Sequence, residues 1–280
     1  MNDLPLHAAT VDILLATYNG EEFLKAQLDS IAAQTHTHWR LIVRDDGSSD
    51  RTIAILDAFQ ARHPGKVVRL TDGDGNLGLV GNFARLMEHS DAPYAAFCDQ
   101  DDVWIPEKLA LSLQKMRELE DRHGSETPLL VFTDLTVVDR NLKVISGSFW
   151  DYQVLLPERC NDLNRLLVQN VATGCTALMN RALLKKALPV RPESIAHDWW
   201  VALVAASFGA AGYVSLPTVL YRQHGKNLFG ARSLTALQLP GKAFRFLWNI
   251  RAFRKGAAQP FRQTKAFCDQ YSGTLDERQR

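Results

Sequence analysis

The sequence predicts an α/β protein whose mainly parallel sheet carries helices on both faces. Two observations make that prediction. From Val11 to Thr133 short apolar runs alternate with stretches of helical period, the pattern of strands joined by crossover helices. Each of the first four runs ends in a loop of Asp, Asn, Ser and Gly, and open α/β sheets bind ligands at the carboxyl ends of their strands. The composition agrees: 280 residues, 46% hydrophobic and 22% charged, is that of a globular chain of one large domain or two small ones.

Val11 to Ala16 reads as the first strand, and Leu24, Leu28 and Ile31 share one face of the helix after it. Leu41 to Val43 is a second strand. Asp50 then suits the cap of a helix that turns Ile53, Leu56 and Phe59 inward. Val67 to Leu70 is a third strand, Asn82 to His89 part of a third helix, and Tyr94 to Phe97 a fourth strand. Pro106 sits where a first-turn proline belongs, ahead of a helix with Leu109, Leu113 and Met116 on one face. Leu129 to Phe132 is a fifth strand. Beyond Thr133 the alternation weakens: strand-like pieces at Leu135 to Val138, Cys175 to Met179 and Val219 to Tyr221 mix with short helices. Trp199 to Val214 carries no charge. It falls short of the roughly 20 residues a bilayer span needs, so it reads as a buried helix running into a strand. The expected division is residues 1–133, then 134–227 as a second wall over the strand ends, then a basic helical tail at 228–280.

Several functions are excluded. Lys and Arg number 32 against 31 Asp and Glu, a net charge of +1, so no global basic field points to nucleic acid. Cys98, Cys160, Cys175 and Cys268 are scattered and form no Cys-x-x-Cys pair, which speaks against a zinc site or a disulfide framework and for a reducing compartment. No secretory signal is visible at the start. Gly75, Gly78 and Gly81 lack the dinucleotide spacing, no P-loop or Gly-x-Ser-x-Gly occurs, and Leu77 replaces the glycine of an EF-hand loop. His36 and His38 are expected in a solvated turn.

The polar loops converge: Thr17-Tyr18-Asn19-Gly20, Asp45 to Asp50, Asp72 to Gly78, and Asp99-Gln100-Asp101-Asp102. Turn chemistry stands beside a functional reading at Asp45 to Asp50 and is the stronger reading at Asp72 to Gly78. It accounts poorly for three carboxylates within four residues beside a buried strand, where a hard divalent cation is the usual remedy. In the second half, His197-Asp198-Trp199-Trp200 opens the long apolar helix. Asp198 there is a dipole partner or something more, and the two tryptophans offer a flat platform for sugar rings. Arg222, His224 and Lys226 lie within five positions and suit a diphosphate or a metal bound to one. From Lys226 to Lys265 there are nine basic and no acidic residues, interleaved with Phe244, Phe246, Trp248, Phe253 and Phe261.

In this order, Thr17-Tyr18-Asn19, Asp45-Asp46-Gly47-Ser48-x-Asp50, Asp99-x-Asp101-Asp102-x-Trp104 and His197-Asp198-Trp199-Trp200 resemble the family 2 glycosyltransferases of the GT-A fold. Asn76-x-Gly78-x-x-x-Asn82-Phe83 and Tyr221-Arg222-Gln223-His224-Gly225-x-Asn227 are similar to the bacterial rhamnosyltransferase-like branch. The resemblance implies a nucleotide-sugar-binding half at 1–133 and an acceptor-binding, catalytic half at 134–227. It implies Tyr18 stacked on a pyrimidine and Asp46 bonded to its N3–H, with Thr17, Asn19, Asn76, Asn82 and Asp99 completing the donor site. Asp101, Asp99 and His224 would hold Mg²⁺ or Mn²⁺. Asp198 would be the general base, and Trp199, Trp200, Thr173 and Gly174 would face the acceptor. His197 stands where many relatives carry Glu or Gly.

A single base with no second nucleophilic carboxylate implies inversion, and the metal-type Asp cluster speaks against a glycosidase pair. The expected activity moves a sugar from dTDP-rhamnose or a UDP-sugar to a cell-surface polysaccharide or lipid-linked glycan. The competing reading is a nucleotide-sugar-binding module without activity. The expected location is cytoplasmic, with the basic tail on the inner face of the membrane.

Overall fold

The computed structural model describes residues 9–225 and 250–275, with the side chains of 250–258 excepted. In chain order the elements are β1 (Val11–Thr17), α1 (Leu24–Ala32), β2 (Trp39–Asp45), α2 (Thr52–Arg62), β3 (Val67–Arg69), α3 (Gly78–His89) and β4 (Tyr94–Cys98). They continue with β5 (Val103–Trp104), α4 (Lys108–His123), β6 (Leu129–Asp139), β7 (Val144–Ser146), α5 (Phe149–Gln153) and α6 (Leu163–Leu166). The chain then forms β8 (Leu178–Asn180), α7 (Arg181–Ala187), α8 (His197–Phe208), β9 (Ala210–Gln223) and α9 (Ile250–Tyr271).

All nine strands join one sheet in the order β3-β2-β1-β4-β8-β6-β9-β5, with β7 on the far part of β6. The first four are parallel, as the alternation predicts. The second half is mixed: β8 runs antiparallel to both β4 and β6, β9 runs parallel to β6, and β5 closes antiparallel on β9. Chain order reverses between β1 and β4, which opens a crevice at their carboxyl ends.

Successive strand residues point to opposite faces, and both faces are apolar. Val11, Ile13, Leu15, Leu41 and Val43 pack with α1, α2 and α4; Leu14, Ile42, Ala95 and Phe97 pack with α3, α7, α8 and α9. The expected inward faces hold at Leu24, Leu28, Ile31, Leu56, Phe59, Leu109, Leu113 and Met116, all buried, while Ile53 is only partly covered. Leu129–Phe132 and Leu135–Val138 prove to be one strand, β6, whose pairing with β9 shifts register around Asp134. Only the end of the Cys175–Met179 piece is strand; a 3₁₀ turn at Gly174–Thr176 precedes it. His38 is exposed as expected, but His36 is buried, its Nε2 2.9 Å from the carbonyl oxygen of Ala9.

The uncharged run from Trp199 to Val214 is the predicted buried helix followed by a strand. α8 is apolar on every side because the sheet, α7 and α9 enclose it. The basic tail ends in helix α9, whose inner face carries Phe267 and Tyr271 against Trp200 and Phe208. Lys226 to Asn249, with most of the tail's expected membrane segment, lie outside the described residues. Among the described residues no helix is long and apolar enough to cross a membrane.

Candidate active site

At the carboxyl ends of β1, β2 and β4 a cleft of about 660 Å³ opens. Thr17, Tyr18, Asn19, Asp46, Asn76, Asn82, Asp99, Asp101 and His224 all line it, so the fold gathers every residue expected at the donor and the metal. Tyr18 is 51% exposed and free to offer a ring face. Its backbone is clamped by Gln100, whose Oε1 accepts from the Tyr18 N–H at 2.9 Å and whose Nε2 donates to the Tyr18 carbonyl at 3.0 Å. That clamp explains Gly20, where a Cβ would lie 2.3 Å from the Gln100 Oε1. Asn19 holds a left-handed conformation, φ 48°, with its Oδ1 accepting from the Ser49 N–H at 2.8 Å.

Turn chemistry fully occupies Asp45 and Asp50. The Asp45 carboxylate accepts from the Thr17 and Ser48 hydroxyls and from the N–H groups of Gly47 and Ser48. Asp50 accepts from the N–H and hydroxyl of Thr52, the first residue of α2, but the N-cap position itself falls on Arg51, one residue later than expected. Asp46 differs. Buried just after the end of β2, it accepts from Arg44 Nη1 at 2.7 Å and from the N–H groups of Leu77 and Gly78 at 2.7 and 2.8 Å, and so caps α3 from another part of the chain. Asn82 is also buried, and its Oδ1 has no hydrogen-bond partner among the described residues.

The acidic cluster is electrostatically crowded. Burial pushes the Asp99 carboxyl up to about 8, and the charges of Asp101 and Asp198 add to the rise. No hydrogen bond reaches the Asp99 carboxylate among the described residues. Asp101 Oδ2 lies 2.7 Å from His224 Nε2, and that ring packs on Phe23 at 4.9 Å between centroids. Asp99, Asp101 and His224 line the same cleft, and the two carboxylates are oxygen donors of the kind hard divalent cations take. Asp99 also belongs to an inner group with Asp102 and Cys175, whose ligand atoms lie within 4.8 Å of one another. Burial raises Asp102 and Cys175 well above their ordinary values and lowers neighbouring Lys108 to about 8. Arg222 braces this loop: its N–H donates to Asp102 Oδ1 and its Nε to the Asp101 carbonyl, at 3.0 and 2.8 Å.

Asp198 stands in the first turn of α8. Its Oδ2 accepts from the Gly174 N–H at 2.7 Å and its Oδ1 from the Trp199 N–H at 2.6 Å, yet burial still pushes its carboxyl up to about 6. His197 fixes this helix end. Its ring stacks on Phe83 at 3.7 Å and meets Phe97 edge-on at 4.5 Å, joining α8 to α3 and to the strand that leads into Asp99. Among the described residues neither ring nitrogen has a hydrogen-bond partner, and burial holds the imidazole down to about 3, hence neutral.

The expected acceptor residues are redistributed. Trp200 is not a platform: it is fully buried, donates from Nε1 to the Ala187 carbonyl at 2.8 Å and packs on Phe267. It points into the interior because α8 has no solvent face for it there. Trp199 is half-buried, its Nε1 held by the Leu166 carbonyl. Gly174 is buried and acts on Asp198, while the half-buried Thr173 accepts from Thr176 through its carbonyl. Arg44 and Gln100 were not singled out from the sequence. The available signal for Arg44 was a charge closing the apolar run Leu41-Ile42-Val43; Gln100 offered none beyond its place in the Asp cluster.

The chain is similar to known proteins in sequence and in fold. The Shigella flexneri protein named dTDP-rhamnosyl transferase RfbG is 27% identical over 229 residues, covering 78% of this chain and 74% of that one. UDP-Glc:alpha-D-GlcNAc-diphosphoundecaprenol beta-1,3-glucosyltransferase WfgD of Escherichia coli is 26% identical over 176 residues, 62% of this chain and 61% of its own length. The chain therefore spans less than two thirds of that relative. Among solved structures, S. aureus TarS 1-349 in complex with UDP-GlcNAc superposes with a TM-score of 0.56 at 17% identity, over 94% of this chain and 73% of the other. That likeness is one of fold. Residues 12–188, well over half of the chain, match the family described as Glycosyl transferase family 2, and the chain belongs to that family.

Proposed function

We propose that the protein is an inverting transferase that takes a sugar from a pyrimidine nucleoside diphosphate sugar, dTDP-rhamnose first and a UDP-hexose second. The acceptor is a hydroxyl of a cell-surface polysaccharide or a lipid-linked glycan precursor. The observation that carries this reading is the single cleft that brings Tyr18, Asp46, Asn76 and Asn82 together with Asp99, Asp101 and His224. The relatives' names support the substrates: one is a dTDP-rhamnosyl transferase, and another uses UDP-Glc on a diphosphoundecaprenol-linked sugar.

In this reading Tyr18 stacks on the base. Asp46 reads the base's N3–H through the one acceptor position left on Oδ2, since each carboxylate oxygen has two lone pairs. A bound Mg²⁺ or Mn²⁺, held by Asp99, Asp101 and His224, would neutralise the diphosphate leaving group. Asp198 takes the acceptor proton as the acceptor oxygen bonds to the anomeric carbon, and the sugar–phosphate bond breaks with its electron pair on the diphosphate. The backbone N–H groups of Gly174 and Trp199 aim the carboxylate, and the neutral His197 ring holds the helix that carries it. The basic tail keeps the enzyme on the cytoplasmic face of the membrane. Asp101→Ala is expected to abolish transfer and most metal-dependent donor affinity. Full-rate transfer by chelator-treated enzyme would overturn the metal assignment.

A further inference from the structure

Arg44 closes β2 and is 2% exposed, a position where an unpaired guanidinium would be costly. It is paired on every side. Nη1 donates to Asp46, Nε and Nη2 form a fork on Asp72 at 2.8 and 3.1 Å, and Nη2 also donates to the Gly75 carbonyl at 2.9 Å. The fork drives the Asp72 carboxyl down to about 2, so the pair stays charged across the working pH range.

Two of the partners of Arg44, Asp72 and Gly75, lie on the loop from Asp72 to Gly78, whose Asn76 and Gly78 line the cleft beside Asp46. Residues 71–76 are all exposed, and Gly73, Gly75 and Gly78 hold positive φ of 73°, 68° and 68°. No buried apolar side chain anchors that stretch, and its glycines leave many conformations open. Polar bonds fix it instead: the Arg44 fork, the Asn76 Nδ2 bond to the Asp46 carbonyl at 3.0 Å, and the Arg85–Asp74 ion pair.

We propose that Arg44 and Asp72 form a latch that holds the Asp72–Gly78 loop as the base-side wall of the donor cleft. Arg44 is then a positioning residue that sets donor affinity without touching the donor. The proposal deepens the donor reading above and rests on it. With the latch closed, Asp46 is aimed and its last acceptor position faces the cleft. With it open, the loop must be ordered by each incoming nucleotide, and that ordering weakens binding.

Asp72→Asn keeps the shape of the side chain and removes the charge; Arg44→Lys keeps the charge and removes the fork. Two measurements are made on each: amide hydrogen exchange of the 72–78 segment without nucleotide, and calorimetric titration with UDP. Both variants are expected to exchange this segment about tenfold faster or more, and to bind UDP about tenfold more weakly, the equivalent of losing a charge-assisted hydrogen bond. In the transfer assay donor KM rises while kcat holds within about threefold, the signature of lost ground-state binding. Exchange and affinity both within about twofold of the unmodified chain would overturn the latch, and so would faster exchange with unchanged affinity. Exchange needs no donor, so it judges the latch separately. Failure of the unmodified chain to bind UDP or dTDP would instead overturn the donor reading.

Discussion

At Asp198 the same burial that raises the carboxyl to about 6 makes it a stronger base than an ordinary aspartate. In the proposed function Asp198 works deprotonated, so transfer should fall as pH drops through about 6. The sign for stability is opposite: a carboxyl raised on folding favours the folded state below its unfolded value of about 3.9, and that contribution is lost as pH rises through 6. Asp198→Asn should keep donor binding and lose about 10²–10⁴-fold in transfer, because an amide cannot take the acceptor proton. Its residual rate should show no acidic limb near pH 6; near-normal transfer would return Asp198 to a capping role. Gly174 is tied to the same atom. A Cβ there would meet His197 Nε2 at 3.1 Å and Asp198 Oδ2 at 3.3 Å, so Gly174→Ala must displace the base or the ring that braces it. Steady-state kinetics should show kcat down by up to about tenfold with donor affinity unchanged, since transfer is sensitive to the placement of a reacting group.

At the scale of elements, α8 joins Asp198 to the core. Trp200 is its largest fully buried side chain, against Phe267 and Tyr271 of α9. Trp200→Ala should cost about 3–5 kcal/mol in denaturant unfolding, and the folded fraction should still transfer sugar. Loss of transfer at full stability would restore the platform role. This helix also marks where the sequence stops being informative. Its apolar character on all sides gave the helix but no facing, so Trp199 and Trp200 were equivalent until packing separated them. The loops after β1, β2 and β4 were legible because turn residues follow apolar runs there, and Asp99 to Asp102 stood out because carboxylates repel. The partners of Arg44 were not legible, since Asp72 lies 28 residues away and only the sheet brings them together. The antiparallel entry of β8 was hidden for a related reason: a three-residue strand leaves almost no periodic signal.

For the whole molecule, one sheet takes strands from both the first and the second part of the chain, and α9 packs its Phe267 and Tyr271 against Trp200 and Phe208 of α8. Of the aromatics expected at the membrane, Phe261 is 72% exposed, next to the exposed Arg262. If the basic tail holds the protein on a membrane as proposed, sedimentation with anionic vesicles pulls it down at low salt and releases it at high salt, because basic residues near an anionic surface contribute ~1 kcal/mol each. No binding at low salt removes the membrane role. The central claim is a metal-dependent site for a pyrimidine nucleoside diphosphate, and thermal unfolding with UDP, dTDP or GDP, with and without Mn²⁺, tests it most directly. A ligand at about 100 times its Kd adds about 2.7 kcal/mol of stability, a rise of several degrees for a chain of this size. UDP and dTDP should give that rise with Mn²⁺ and lose most of it in chelator or in Asp101→Ala. An equal rise in chelator, or a larger one with GDP, would contradict the account.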